Sequence, residues 1–229
     1  MLVISPLGQI IGVNLLYKYI KKEHLGLFLK NGTIKIGTLL EYRNEKDLGS
    51  VIGDNQEGLH ITELNSPNGR EIDLASNTPE AEYFRKNVLR PDQQNSNVKI
   101  VMEAGANIIV HTNSPTYYVY CVTSTYDKNV MTEFACDRCI EIINPEKFFK
   151  EVNRVMRHKA DFEGCFDVVY GNKTTDHLNP HKVHPALMKE AKYNNQAEVR
   201  AIWRPKKEPK SSLFVKVPKA IKYCREFKP

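Results

Sequence analysis

Gln196, Glu198 and Arg200 stand two residues apart in the stretch Asn195-Gln196-Ala197-Glu198-Val199-Arg200-Ala201-Ile202-Trp203. In an extended chain successive side chains alternate between faces, so these three share one face while Ala197, Val199, Ala201 and Trp203 share the other. The apolar face belongs in a core. A carboxylate with an amide on one side and a guanidinium on the other suits the wall of a cleft that handles a cationic or phosphorylated ligand. The same alternation also describes an ordinary strand with one solvated face.

The elements that must position this stretch are legible as hydrophobic periods and stop signals. Residues 15–20 read as a first strand, and 23–30 as a helix with Leu25, Phe28 and Leu29 at helical spacing that stops at Asn31-Gly32, a left-handed cap. Residues 33–42 read as extended and lead into a polar loop over 43–58, long enough to imply a function. Within it Gly53-Asp54 and Glu57-Gly58 also fit plain turns. Thr78-Pro79-Glu80-Ala81-Glu82 reads as a helix start with Thr78 as cap, which accounts for its Glu-x-Glu triplet without chemistry. Residues 97–103 and 107–112 flank Ala104-Gly105-Ala106 as a hairpin, and 117–125 is the strongest strand in the chain. An amphipathic helix over 145–158 turns Phe148, Phe149, Val152, Val155 and Met156 inward. A strand over 165–170, a short helix over 185–192 and a last strand over 213–217 complete the order. With no repeat and no linker, residues 1–229 read as a single α+β domain built on mixed sheets.

Composition bounds the rest. The 229 residues are 41% hydrophobic and 26% charged, as in a soluble globular protein. The opening residues are apolar but broken by Pro6, Gly8 and Gly12 and have no basic lead, so neither a secretory signal nor a membrane span is expected, and the cytoplasm is the expected location. Five cysteines, an odd number in a chain too large to need staples, point to reduced thiols. From residue 200 onward ten basic residues face two acidic ones. Such an end either attracts a polyanion, with Lys206, Lys207 and Lys210 on phosphates, or is a solvated surface.

The order of parts is similar to that of a known superfamily. Tyr17-Lys18 on the first strand, a helix ending Leu-Lys-Asn-Gly, a further strand, the hydroxyl-bearing strand end Thr123-Ser124-Thr125 and the Gln196-x-Glu198 strand together resemble the ADP-ribosyltransferase superfamily, most of all its DarT-type toxins that modify DNA. Patches of the chain also resemble an uncharacterised bacterial domain family of similar length. The resemblance implies an α+β fold in which two mixed or antiparallel sheets form an NAD cleft flanked by helices. It implies NAD⁺ as co-substrate without a metal, cleavage of the nicotinamide–ribose bond, and transfer of ADP-ribose to a nucleic acid, RNA or DNA, by a toxin or phage-defence effector that can have an antitoxin partner. Glu198 would stabilise the oxocarbenium-like transition state and Gln196 would orient the attacking group. Thr123, Ser124 and Thr125 would support the glutamate and the ribose, or are simply a strand end meeting solvent. Lys18 stands where familiar members carry His or Arg; it donates to a phosphate or ribose oxygen, or snorkels. Arg43 is the candidate for the pyrophosphate or the transition state, and Tyr42 or Tyr19 for stacking on nicotinamide.

Rival readings remain open at this level. Cys136-x-x-Cys139 has metal-ligand spacing, and His177, His181 and His184 could complete a zinc site. A basic, non-catalytic module could stack nucleic-acid bases on Tyr117, Tyr118 and Tyr120. Within the enzyme class the acceptor could be protein, and NAD hydrolysis or 2′-phosphate removal from RNA are also open.

Overall fold

The structure, a computed structural model, describes residues 15–44, 53–90 and 98–228. The expectation about the first residues up to 14, and the middle of the 43–58 loop, lie outside the described residues.

Strand β7 (Tyr118–Thr123) is the axis of an eight-stranded sheet. Along one edge it pairs antiparallel with β13 (Glu198–Pro205), in register from Glu198↔Thr123 to Trp203↔Tyr118, and β13 continues to β9 (Ala160–Asp167). The other edge of β7 is divided. Its beginning pairs with β2 (Thr33–Thr38) through Gly37↔Val119 and Thr38↔Tyr118, and its end pairs with β1 (Leu16–Ile20) through Tyr17↔Thr123. The sheet therefore forks. One branch runs on from β2 to β14 (Leu213–Lys216), the other from β1 to β8 (Arg138–Ile142) and β15 (Cys224–Phe227). In the fork the Cys121 carbonyl accepts a hydrogen bond from Lys18 Nζ at 2.7 Å.

One face of this sheet holds the main core. Val199, Ala201 and Trp203 point there, as their alternation requires, and meet the helix Pro145–Met156. That helix starts as its sequence indicates, with Asn144 accepting from Lys147 N–H and Pro145 in the first turn. Phe148, Phe149, Val152 and Met156 are fully buried, but Val155 is 40% exposed because it falls at the margin of the apolar stripe. The helix Lys22–Asn31 ends as expected at Gly32, whose φ of 64° sends its N–H back to Leu27 and Phe28 carbonyls. A Cβ at Gly32 would lie 2.5 Å from the Val217 backbone, so both conformation and space require glycine.

Three further expectations change. The extended reading of 33–42 stops at Thr38, whose side chain caps Glu41 N–H and starts the short helix Leu39–Tyr42. The strands around Ala104-Gly105-Ala106 exist but do not pair with each other. β5 (Lys99–Met102) pairs with β4 (Arg70–Asp73), and β6 (Ala106–Asn113) with β3 (Leu59–Ser66), because the Gly105 N–H bonds to the Ser66 carbonyl and hands the chain to a different partner. The helix expected over 185–192 is two 3-10 turns, Pro185–Leu187 and Ala191–Gln196, around the two-residue strand β12 (Met188–Lys189).

β11 (Thr174–Asp176) joins β3 in parallel, and the helix Pro79–Asn87 covers that side with Ala81 and Phe84. Thr78 accepts from Ala81 N–H, the capping role read from the Glu80-x-Glu82 segment. The described chain is thus mixed α+β, with several sheets and no barrel. Among the described residues no helix is long and apolar enough to cross a membrane.

Candidate active site

The fork of the sheet opens a cavity of about 160 Å³ on the face opposite the main core. Glu198 reaches it from the first position of β13. Just before it Ala197 takes a left-handed conformation, φ 41° and ψ 46°, uncommon for a residue with a Cβ. That turn ends the 3-10 helix, so Gln196 arrives at the cavity from the helix rather than from the strand on which the alternation placed it. Glu198 and Arg200 do share the strand face, as read.

A chain of buried charges lines the floor. Arg200 Nε donates to Glu198 Oε1 at 2.8 Å, and Lys189 Nζ stands 2.9 Å from Glu198 Oε2. On its other side the Arg200 guanidinium grips Glu57 through two bonds, Nη1 to Oε1 at 2.6 Å and Nη2 to Oε2 at 2.9 Å. Lys189 Nζ also donates to Gln196 Oε1 at 2.8 Å, and Tyr170 Oη accepts from the Glu198 backbone N–H at 2.7 Å. Glu198 is 7% exposed and Arg200 2%. Burial alone would raise the Glu198 carboxyl, but Arg200 and Lys189 outweigh it and hold the group well below the usual carboxylate range. Burial likewise works against the Arg200 charge, while Glu198 and Glu57 hold its pKa well above the ordinary value. Glu57, Glu198, Arg200 and Lys189 thus form one connected unit of two acidic and two basic side chains, whose formal charges cancel.

The walls are aromatic and thiol. Tyr17, Tyr19 and Phe134 stand on the β1 side, and Tyr17 and Tyr19 also pack against Tyr126 at 6.1 Å between ring centroids. Tyr42 forms the opposing wall, and its ring lies so close to Gly37 that a Cβ there would meet its hydroxyl at 2.7 Å. Lys18 adds a further cation, with Nζ 4.8 Å from the Tyr120 ring centroid. Cys121 lies beside Glu198; burial and then that carboxylate push its thiol up to about 12, so it is not a thiolate nucleophile near neutral pH.

Of the ten residues that the resemblance assigns to catalysis or to NAD, seven line this cavity: Tyr17, Lys18, Tyr19, Tyr42, Thr123, Gln196 and Glu198. Arg43 does not; its Nε donates to the Glu57 carbonyl at 2.6 Å, so it supports the segment that carries Glu57. Ser124 and Thr125 are also outside the lining. The Ser124 N–H bonds to the Ala197 carbonyl, and the Thr125 carbonyl accepts from Thr123 Oγ1. Lys206, Lys207 and Lys210 are exposed and follow the far end of β13, roughly 25 Å along the strand from Glu198. Part of the basic C-terminal charge is matched, Arg204 by Glu163, Lys206 by Asp161 and Arg225 by Glu141, while Arg200 is buried.

Glu57 and Lys189 were missed. Glu57-Gly58 reads as a turn, and nothing local marks Lys189, because the contacts that define both come from β13. The residues of the proposed zinc site stand apart: Cys136 lines the cavity, while His177, His181 and His184 pack on the rings of Tyr83, His60 and Tyr117. Among the described residues no three His, Cys, Asp or Glu side chains are placed to hold a metal ion. Comparison with protein-family models, with curated proteins and with solved structures finds no match.

Proposed function

We propose that the protein is an NAD⁺-dependent mono-ADP-ribosyltransferase with an ADP-ribosyltransferase-like fold, acting on a nucleic-acid acceptor as a toxin or defence effector. The observation that carries this reading is the Glu198 side chain lining a ring-walled cavity at the fork of the sheet, with a single strand between it and Tyr17 of the opening strand. The enclosed space is smaller than the usual 300 Å³ or more of a whole-ligand site, at about 160 Å³, which suits one end of a dinucleotide. In this reading Tyr17, Tyr19 and Tyr42 enclose the nicotinamide, and Lys18 meets a ribose or phosphate oxygen. Glu198 faces the ribose. As the glycosidic C–N bond breaks, its electron pair leaves on the nicotinamide nitrogen and positive charge develops on the ribose, where a fixed carboxylate stabilises it. An acceptor nitrogen or oxygen then forms the new bond to the ribose carbon and loses its proton, oriented by Gln196.

Incubation with NAD⁺ labelled in the adenylate half, alongside separate DNA, RNA and protein pools, tests the reading. Label in DNA or RNA with release of nicotinamide supports it. Label in protein alone moves the acceptor to protein. Nucleic-acid binding that is indifferent to NAD⁺, with no nicotinamide released, supports the basic binding module instead.

A further inference from the structure

Glu57 belongs to the cavity floor through a segment fixed from several sides. Lys173 Nζ donates to Asp54 Oδ2 at 2.7 Å and to the Gln56 carbonyl at 2.6 Å, with both charged side chains 1% exposed. Asp54 N–H bonds to the Tyr42 carbonyl, Arg43 Nε to the Glu57 carbonyl and Ser114 N–H to the Gly58 carbonyl. A backbone held this way delivers one carboxylate, Glu57, to the Nη1–Nη2 edge of the Arg200 guanidinium, next to the Nε–Nη2 edge that holds Glu198.

The consequence is electrostatic. Arg200 and Lys189 both contact Glu198, and with Glu198 as the sole carboxylate this cluster would carry a surplus positive charge. Such a surplus opposes any cation forming beside Glu198. Glu57 cancels it from a position where it does not occupy the Glu198 oxygens. We infer that Glu57 is a positioning and charge-setting residue of this cavity, which fixes the Arg200 guanidinium and keeps the cluster around Glu198 neutral. Its effect on turnover rests on the NAD⁺ reading above; its effect on charge does not.

Two measurements on Glu57→Gln separate these. Cys121 lines the same cavity and serves as an internal probe of its potential. The rate of alkylation of Cys121 by iodoacetamide, followed peptide by peptide against pH, reports its thiolate fraction. Glu57→Gln is expected to raise that rate about tenfold at a given pH, because a more positive cavity favours the thiolate. Adding Lys189→Met restores neutrality and is expected to bring the profile back. In nicotinamide release, Glu57→Gln is expected to lower kcat about tenfold or more with KM unchanged or lower, whereas simple loosening of the fold would raise KM. A Cys121 profile that does not move in Glu57→Gln, or that moves and is not restored by Lys189→Met, overturns the inference. A profile that moves and is restored, in a protein that releases no nicotinamide, upholds the charge role and sinks the NAD⁺ reading alone.

Discussion

Thr123 lies directly across from Tyr17 on one side and from Glu198 on the other, so the opening strand and the β13 strand present these two side chains on one face with a single strand between them. Adjacent strands are about 4.8 Å apart, which sets Tyr17 and Glu198 roughly 10 Å from each other across Thr123. The space above Thr123 is the cavity, and its chemistry is decided by which charges line it.

Glu198 has a structural as well as a proposed chemical role. Replacing it with Gln leaves Arg200 and Lys189 against Glu57 alone, an uncompensated buried cation. Glu198→Gln is expected to lose about 3 kcal/mol of stability in urea unfolding, in line with breaking a buried pair from one side. The double variant with Lys189→Met should recover much of that loss. Additive losses would mean that the 2.9 Å contact between Lys189 and Glu198 contributes nothing.

Gly37 is required by its neighbour. A Cβ at this position would lie 2.7 Å from the Tyr42 hydroxyl and 2.9 Å from its ring, so Gly37→Ala must push Tyr42 out of the cavity wall. The expected cost is about 1–3 kcal/mol, with the Tyr42 ring displaced in a crystal structure of the variant. An unmoved ring at unchanged stability would contradict this account of the wall.

Acid should weaken the fold through two kinds of group, one acting below pH 6.5 and the other below pH 4.5. Burial, followed by the nearby His181, His184 and Lys173, lowers the His60 imidazole from 6.5 to about 4. Between those values the unfolded chain binds more protons than the folded one, so stability falls as pH drops from 6.5 toward 4 and is flat above 6.5 on this account. Burial shifts His184 in the same direction. Glu198 is the opposite kind of group, an acid held below its ordinary 4.5, and its contribution is full above 4.5 and is lost only as pH falls toward its folded value. Urea midpoints at pH 7.5, 6 and 5 should decline, and His60→Gln should flatten the decline. An equal slope in the variant would show that His60 is not its source.

The parts of the fold that were legible are those fixed by local chemistry. The Asn31-Gly32 stop, the Thr78 cap and the Phe148, Phe149, Val152 and Met156 stripe each follow from a few adjacent residues. Beyond Thr38 one hydroxyl bonded to Glu41 N–H overrides an extended-looking sequence. The strands on either side of Gly105 pair with β4 and β3 and not with each other, because strand partners are decided by contacts from distant residues. In the site the alternation correctly joined Glu198 to Arg200 and set Val199 and Trp203 in the core. Gln196 reached the cavity by a different route, through the left-handed turn at Ala197. Glu57 is 143 residues from Arg200, and no spacing rule spans that distance. Arg43 stands at the start of the long loop, as its place in the sequence indicates, yet it lies outside the cavity lining, its Nε bonded to a backbone carbonyl.

The most direct measurement is nicotinamide release from NAD⁺ by the wild-type chain and by Glu198→Gln, each checked as folded by circular dichroism at the assay temperature. The account expects release by the wild type and a fall of about 100-fold or more in the variant, the size of loss that follows removal of a group aimed at transition-state charge. Release that is unchanged by Glu198→Gln, or no release by the folded wild-type protein, would contradict it.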